Sequence, residues 1–256
     1  MVRPNRLKER LRLGHPSLGC WLHLASPIAA EVVAQAGYDA VVIDHEHGPG
    51  DLYNGILQMQ AASGTAATTI LRVPWNDPVY IKRALDTGAE GIIVPSVQNA
   101  AEARAAVAAC RYPPEGIRGF ANQVTRSAEY GARVEEYLAG LPERLIVICQ
   151  IESPTAVRNI GEIAAVEGVD MLFIGPSDLA ASAGHVGHPD DPAVLALIEE
   201  AIAATKAAGR ALGSIPLPGR RVEAMLAGPF DFVISASDVA LLRLGAQADV
   251  SAHRRA

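Results

Sequence analysis

Residues 145–178 read LIVICQIESPTAVRNIGEIAAVEGVDMLFIGPSD, and the fold follows from them. Two short apolar runs, 145–152 (LIVICQIE) and 170–175 (DMLFIG), flank a segment, 155–166, whose apolar residues recur at three- and four-residue spacing. Runs that are apolar throughout, rather than alternating, are what parallel strands covered on both faces require, and the spacing between them is that of a helix. Each run ends in polar residues, QIES and GPSD, where a parallel architecture places its chemistry.

The same rhythm extends in both directions. Further apolar runs fall at 19–24 (GCWLHL), 39–44 (DAVVID), 68–73 (TTILRV), 91–96 (GIIVPS), 211–215 (ALGSI) and 231–235 (DFVIS), making eight in all. Helical spacing recurs at 27–36, 79–87, 100–109 and 193–208, and Gly37, Gly88 and Gly209 stand where a left-handed cap would end a helix. Eight strand–helix units in 256 residues predict one (β/α)₈ barrel spanning 1–256, with a doubly wound open sheet, which needs fewer strands, as the alternative. The exception to the rhythm is an irregular stretch at about 111–141, opening RYPPEGIRGFANQ; a loop that long inside a compact domain is expected to be functional. Residues 246–256 are polar and expected to fray.

Composition narrows the function classes. Lys and Arg number 22 against 28 Asp and Glu, a net charge of −6, and there is no basic block of the kind nucleic acids or anionic membranes attract. No apolar run approaches the ~20 residues that span a bilayer, and no export signal is visible. Cys20, Cys110 and Cys149 are odd in number, far apart and set in apolar stretches, which predicts buried thiols and a cytoplasmic location. Nucleotide loops of the G-x-x-x-x-G-K-[ST] and G-x-G-x-x-G types are missing, as is a G-x-S-x-G elbow.

The strand ends carry the candidate chemistry. Glu152 and Asp178 emerge from neighbouring runs with no adjacent cation; either alone reads as a helix cap, but two converging carboxylates call for a proton or a hard divalent ion between them. Asp44-His45-Glu46-His47 sets two imidazoles beside two carboxylates, and the Gly48-Pro49-Gly50 turn puts His47 on the rim as a general base, with a zinc site or a solvated loop as the other readings. Arg72 lies in an apolar strand, where it serves either a structural ion pair or a developing oxyanion. The Gly175-Pro176-Ser177 turn suggests a small nest of backbone N–H groups for a carboxylate. His15, His23, His185, His188 and His253 show no partner set.

The motifs IDHEHGPGD, LRVPWNDP, GIIVPSVQNAAEA, YPPEGIRG, QIES and FIGPSDLAAS occur in a single order, and with them the chain resembles the HpcH/HpaI family of metal-dependent class II pyruvate aldolases over about residues 14–240. The resemblance implies a (β/α)₈ barrel of the phosphoenolpyruvate/pyruvate superfamily type, usually a homohexamer built as a trimer of dimers that exchange the last helix. It implies Mg²⁺, Mn²⁺ or Co²⁺ on Glu152 and Asp178, and places Gln150 and Ser177 near bound pyruvate. His47 matches the catalytic base, Arg72 the transition-state stabiliser, and Asp86 a carboxylate that raises the histidine's basicity; Asp44 is a second candidate for that task. The implied reaction is reversible cleavage of a 4-hydroxy-2-oxo acid to pyruvate and an aldehyde. No Schiff-base lysine is expected, since Lys82 and Lys206 fall in helical segments.

Two departures bear on the aldehyde. His45 stands where many relatives have glycine, so it is expected to narrow the entrance or add a donor there. Arg126 keeps a basic position, but Glu129 replaces an arginine of some relatives, which favours a neutral or hydroxylated aldehyde over a dicarboxylic substrate. The rival readings are a CoA-thioester lyase of the citrate lyase β type, with Arg111, Arg118 and Arg126 as its cations, and a non-catalytic metabolite-binding barrel.

Overall fold

The computed structural model describes residues 3–254. Its strands are β1 (Ser17–Leu22), β2 (Ala40–Asp44), β3 (Thr68–Arg72), β4 (Gly91–Val94), β5 (Ile146–Ile151), β6 (Met171–Ile174), β7 (Ala211–Ser214) and β8 (Phe232–Ser237). Each pairs in parallel with its neighbours in chain order, and β8 closes on β1, giving an eight-stranded barrel. The helices are α1 (Arg6–Arg12), α2 (Pro27–Gln35), α3 (Leu52–Ala62), α4 (Pro78–Asp86), α5 (Ala100–Cys110), α6 (Val134–Arg144), α7 (Pro154–Arg158), α8 (Ile160–Ala164), α9 (Pro176–Ser182), α10 (Pro192–Ala207), α11 (Val222–Leu226) and α12 (Asp238–His253).

Local chemistry sets these boundaries. Ser26, Asp51, Asp77, Asn99, Ser153, Asp191 and Ser237 each accept a backbone N–H at a helix start, and four of the helices they open carry proline in the first turn. Gly37, Gly88 and Gly209 take positive φ, as a left-handed helix exit requires. The predicted 155–166 helix is broken at Asn159, which closes α7 and opens α8.

Two apolar layers hold the barrel. Its lumen is filled by Trp21, Val42, Ile70, Ile93, Ile148, Phe173, Phe232 and Ile234, among others, and is plugged at the strand N-termini by Leu7 of α1. A larger shell, including Val41, Leu71, Ile92, Val147 and Leu172, packs the strands against the helices. Since strand side chains alternate, the parity that points Val42, Ile70 and Ile148 inward also points Asp44, Arg72 and Gln150 inward, one layer nearer the strand C-termini. The lumen is crowded enough that a Cβ on Gly19 would sit 2.7 Å from the Phe232 ring.

Two sequence expectations change. The 246–256 tail does not fray over its described part, since α12 runs on to His253; Arg255 and Ala256 lie outside the described residues. The 111–141 stretch contains a 3₁₀ turn (Arg126–Ala128) and most of α6, and it joins the C-terminal end of α5 to the start of β5. It therefore lies at the strand N-termini, the end of this chain's barrel opposite the C-terminal loops. Its anchor is Arg118, fully buried, bonded to Asp86 (2.8 Å) and the Tyr137 hydroxyl (2.8 Å) and lying over the Tyr112 ring.

Candidate active site at the strand C-termini

A cavity of about 430 Å³ opens where the strands end, lined by Trp21, His23, His47, Arg72, Gln150, Asp178 and neighbours. Arg72 is its centre. The guanidinium forks onto Asp44 (Nε to Oδ1 2.8 Å, Nη2 to Oδ2 2.7 Å), reaches Glu46 Oε2 at 3.0 Å and Gln150 Oε1 at 3.5 Å, and lies 4.2 Å over the Trp21 ring. This planar, bidentate, stacked arrangement is one that lysine cannot reproduce.

Asp44 is fully buried and receives four donors besides the Arg72 Nε: Arg72 Nη2, His23 Nε2 at 2.9 Å, and the backbone N–H groups of Glu46 and His47. Burial alone would raise its carboxyl, but the hydrogen bonds from His23 and Arg72, the arginine charge and the Glu46 amide outweigh it and hold it well below the usual carboxylate range. Asp44 thus touches the backbone of His47 and the imidazole of His23. The expectation that it orients the His47 ring is corrected: that ring is 58% exposed on the rim, and its ion-pair neighbour is Glu46, 3.8 Å away.

Asp86 lies elsewhere in this chain. It ends α4 at the opposite mouth of the barrel, paired with Arg118, so within one chain it does not approach His47. Arg126 donates to the Thr87 carbonyl that ends α4, and Arg111 lines cavities at that same far end. None of Arg111, Arg118 or Arg126 borders the C-terminal cavity, which removes the cations a CoA reading needs there. Glu129, next to Arg126 in the loop, likewise lies away from the cavity of its own chain. His45 also moves: it is buried behind the β2 loop, its Nδ1 2.9 Å from the Tyr80 hydroxyl and its ring against Gly55, so it does not narrow the entrance.

Glu152, Asp178 and Glu46 lie near enough for their charges to act on one another, and Asp178 lines the cavity. Burial pushes Glu152 up to about 7, against the Ser96 N–H that it accepts at 3.0 Å, with the charges of Glu46 and Asp178 adding to the rise. Burial likewise pushes Glu46 up to about 7, opposed by Arg72 and reinforced by Asp44 and Asp178. The Glu46 Oε2 is a buried acceptor without an aligned hydrogen bond, and Gly175 presses so closely that a Cβ there would stand 2.7 Å from Glu152 Oε1. Gln150 donates to that same Glu152 oxygen. Mutually repelling buried carboxylates are a donor set that a hard divalent cation fits. Among the described residues no group of three or more His, Cys, Asp and Glu side chains forms a cage, so two carboxylates would leave the remaining positions to water and substrate.

The backbone nest is narrower than the sequence suggests, because the Gly175 N–H is used by the Ile151 carbonyl and Pro176 has none. His23 is the residue that sequence reading missed. It lies two positions beyond the inward-facing Trp21, so strand parity already aimed it at the lumen.

A family model described as HpcH/HpaI aldolase/citrate lyase matches residues 17–244. A protein of Salmonella arizonae named 4-hydroxy-2-oxo-heptane-1,7-dioate aldolase is 43% identical over 244 residues, covering 95% of this chain and 92% of the relative. The crystal structure of an HpcH/HpaI aldolase/citrate lyase family protein from Burkholderia cenocepacia superposes with a TM-score of 0.91 at 37% identity, over 98% of this chain and 100% of that one. The citrate synthase SbnG superposes with a TM-score of 0.86 at 28% identity, over 97% of each chain.

Proposed function

The chain belongs to the HpcH/HpaI aldolase/citrate lyase family, and from that premise we propose that this carbon–carbon lyase is a class II aldolase that cleaves a 4-hydroxy-2-oxo acid to pyruvate and an aldehyde. The observation that carries the reading is the Arg72 fork beside Glu152, Asp178 and Gln150 at the strand C-termini: a fixed cation placed next to a hard-ion donor set is what an enolate needs.

Glu152 and Asp178 would hold Mg²⁺, Mn²⁺ or Co²⁺. Bound there, such an ion supplies Lewis-acid polarisation of the 2-oxo acid. Arg72, immobilised by Asp44 and Trp21, stabilises the charge that develops on the enolate oxygen without having to reorganise. Gln150, held between Arg72 and Glu152, orients the pyruvate end, and Gly175 and Ser177 shape the wall beside it. His47, solvent-exposed on the rim, takes the proton from the 4-hydroxyl as the C3–C4 bond breaks, and a proton from solvent then goes to C3 to complete the pyruvate methyl group; condensation reverses both transfers.

The names of the relatives suggest a dicarboxylic 4-hydroxy-2-oxo acid as one substrate. A homo-oligomer is supported by the exposed Leu241, Leu242, Leu244 and Val250, large apolar side chains spread around the last helix, α12. Three buried free cysteines support a reducing, cytoplasmic setting. Among the described residues no helix is long and apolar enough to cross a membrane.

The test is proton NMR of pyruvate in D₂O with chelator-stripped protein, followed by addition of Mn²⁺ or Mg²⁺. Metal-dependent loss of the methyl signal is expected, and Glu152→Gln should abolish it. No exchange from folded protein with Mn²⁺, Mg²⁺ or, added in turn, Co²⁺ overturns the aldolase reading in favour of a non-catalytic barrel.

A further inference from the structure

The cavity has two chemically different halves. The half around Arg72, Gln150 and Asp178 is charged and suits the pyruvate fragment, whereas the half formed by the ends of β1, β7 and β8 is mostly apolar, with Trp21, Ile215, Pro216, Ile234 and Ala236 on its wall beside the hydroxyls of Ser235 and Ser237. His23 stands in that apolar half. Its backbone N–H and that of Leu24 both donate to the Asp238 carboxylate at the start of α12, and Ala25 turns the chain away with φ of 50°, so the residue is fixed in place. Its ring packs 5.9 Å from the Trp21 ring and presents 27% of the side chain to the cavity and solvent.

The tautomer follows from the partner. His23 Nε2 lies 2.9 Å from Asp44 Oδ2, and a carboxylate can only accept, so Nε2 carries the hydrogen. In a neutral imidazole that leaves Nδ1 as an acceptor. Among the described residues no hydrogen bond engages Nδ1. Of the serines nearby, Ser237 uses its hydroxyl to cap α12.

We propose that His23, oriented by Asp44, is a specificity-determining residue that accepts a hydrogen bond from a hydroxyl on the aldehyde fragment, so that the enzyme prefers α-hydroxyaldehydes over aldehydes of equal size without the hydroxyl. This rests on the aldolase reading above. It assigns Asp44 a second task besides holding Arg72: fixing the imidazole that reads the aldehyde. An acceptor set in an apolar wall discriminates because a hydroxyl meets a partner there, while a methyl group leaves the imidazole nitrogen unpaired.

The experiment measures kcat/KM for addition of pyruvate to glycolaldehyde and to propanal, which differ by a hydroxyl for a methyl, in the Mn²⁺-loaded parent and in three variants. The glycolaldehyde-to-propanal ratio is expected to fall about tenfold in His23→Leu. His23→Asn, whose amide oxygen can stand near the Nδ1 position, should recover part of the ratio. His23→Gln, which can renew the donor to Asp44 without an acceptor at that position, should not. An unchanged ratio in His23→Leu overturns the proposal, as does recovery in the Gln variant alone, which would make the Asp44 contact the only role of the ring. Pyruvate methyl exchange in the parent separates the two readings: its absence overturns the aldolase assignment and this one together, whereas exchange with an unchanged ratio overturns the His23 assignment alone.

Discussion

Replacing Arg72 with alanine perturbs the most constrained contact in the molecule. The arginine side chain is 8% exposed and its Asp44 partner 0%, so the pair is shielded from solvent. Removing one partner of a buried ion pair typically destabilises by about 3–5 kcal/mol, because the survivor is left charged and desolvated. Here His23 remains bonded to Asp44, and Glu46 and Glu152, already near pH 7 in their titration, can take up protons once the cation is gone. Both effects point to the lower end, about 3 kcal/mol, or a fall in Tm of about 6–12 °C for a chain of this size. The assay is urea unfolding followed by circular dichroism at one protomer concentration and with chelator present, so that neither association nor metal linkage enters. The pH dependence has a definite sign. The folded Asp44 carboxyl lies below its unfolded value of about 3.9, so its contribution is present above that pH and is lost as pH falls towards the depressed folded value. The gap between parent and variant should therefore narrow below about pH 4. Asp44→Asn in the Arg72→Ala background should recover part of the loss, with a coupling above about 1 kcal/mol. A loss under about 1 kcal/mol for Arg72→Ala, or strict additivity in the cycle, would refute this account of the pair.

Other outcomes follow from particular contacts. Gly175→Ala places a Cβ 2.7 Å from Glu152 Oε1, so Mn²⁺ affinity measured by calorimetry should drop at least about tenfold while the far-ultraviolet spectrum is unchanged. Burial pushes Cys20, Cys110 and Cys149 each up to about 12, so an aromatic disulfide reagent at pH 8 should titrate no thiol rapidly in the native protein and all three after denaturation. Arg118→Ala leaves Asp86 unpaired and empties the centre of the 111–133 loop, and limited proteolysis should then cut that loop many-fold faster, with the barrel fragments staying associated.

Much of the barrel was legible because its strands are short, apolar and punctuated by glycine, and the eight runs fall on the eight strands with shifts of one or two residues. α1, α3, α6, α9, α11 and α12 escape the sequence reading. Of these, α1, α9 and α11 are only seven, seven and five residues long, too short to show a period, and α3 follows directly on a glycine–proline turn. α6 and the end of α12 fall in stretches expected to be irregular or to fray. The split between α7 and α8 was invisible for a related reason: the apolar spacing continues across Asn159, and only the backbone hydrogen bonding shows the break.

The candidate site divides along the same physical line. Arg72, Gln150 and Glu152 were legible because a polar residue at the end of an apolar strand is exceptional, and strand parity then fixes where it points, while Asp178 was legible as the acidic residue in the first turn of the helix that follows β6. The partners of those residues were not legible, because pairing depends on neighbours distant in sequence. Asp44 is bound by an arginine 28 positions later and by His23, which follows the end of another strand, while Asp86 meets Arg118 across 32 positions at the far end of the barrel. A motif fixes which residues a family keeps, but the side-chain register of each strand decides which imidazole a buried carboxylate can hold. In this chain that register joins Asp44 to His23 and leaves His47 on the rim, so of two imidazoles lining one cavity the first is held by a buried carboxylate and the second stays exposed.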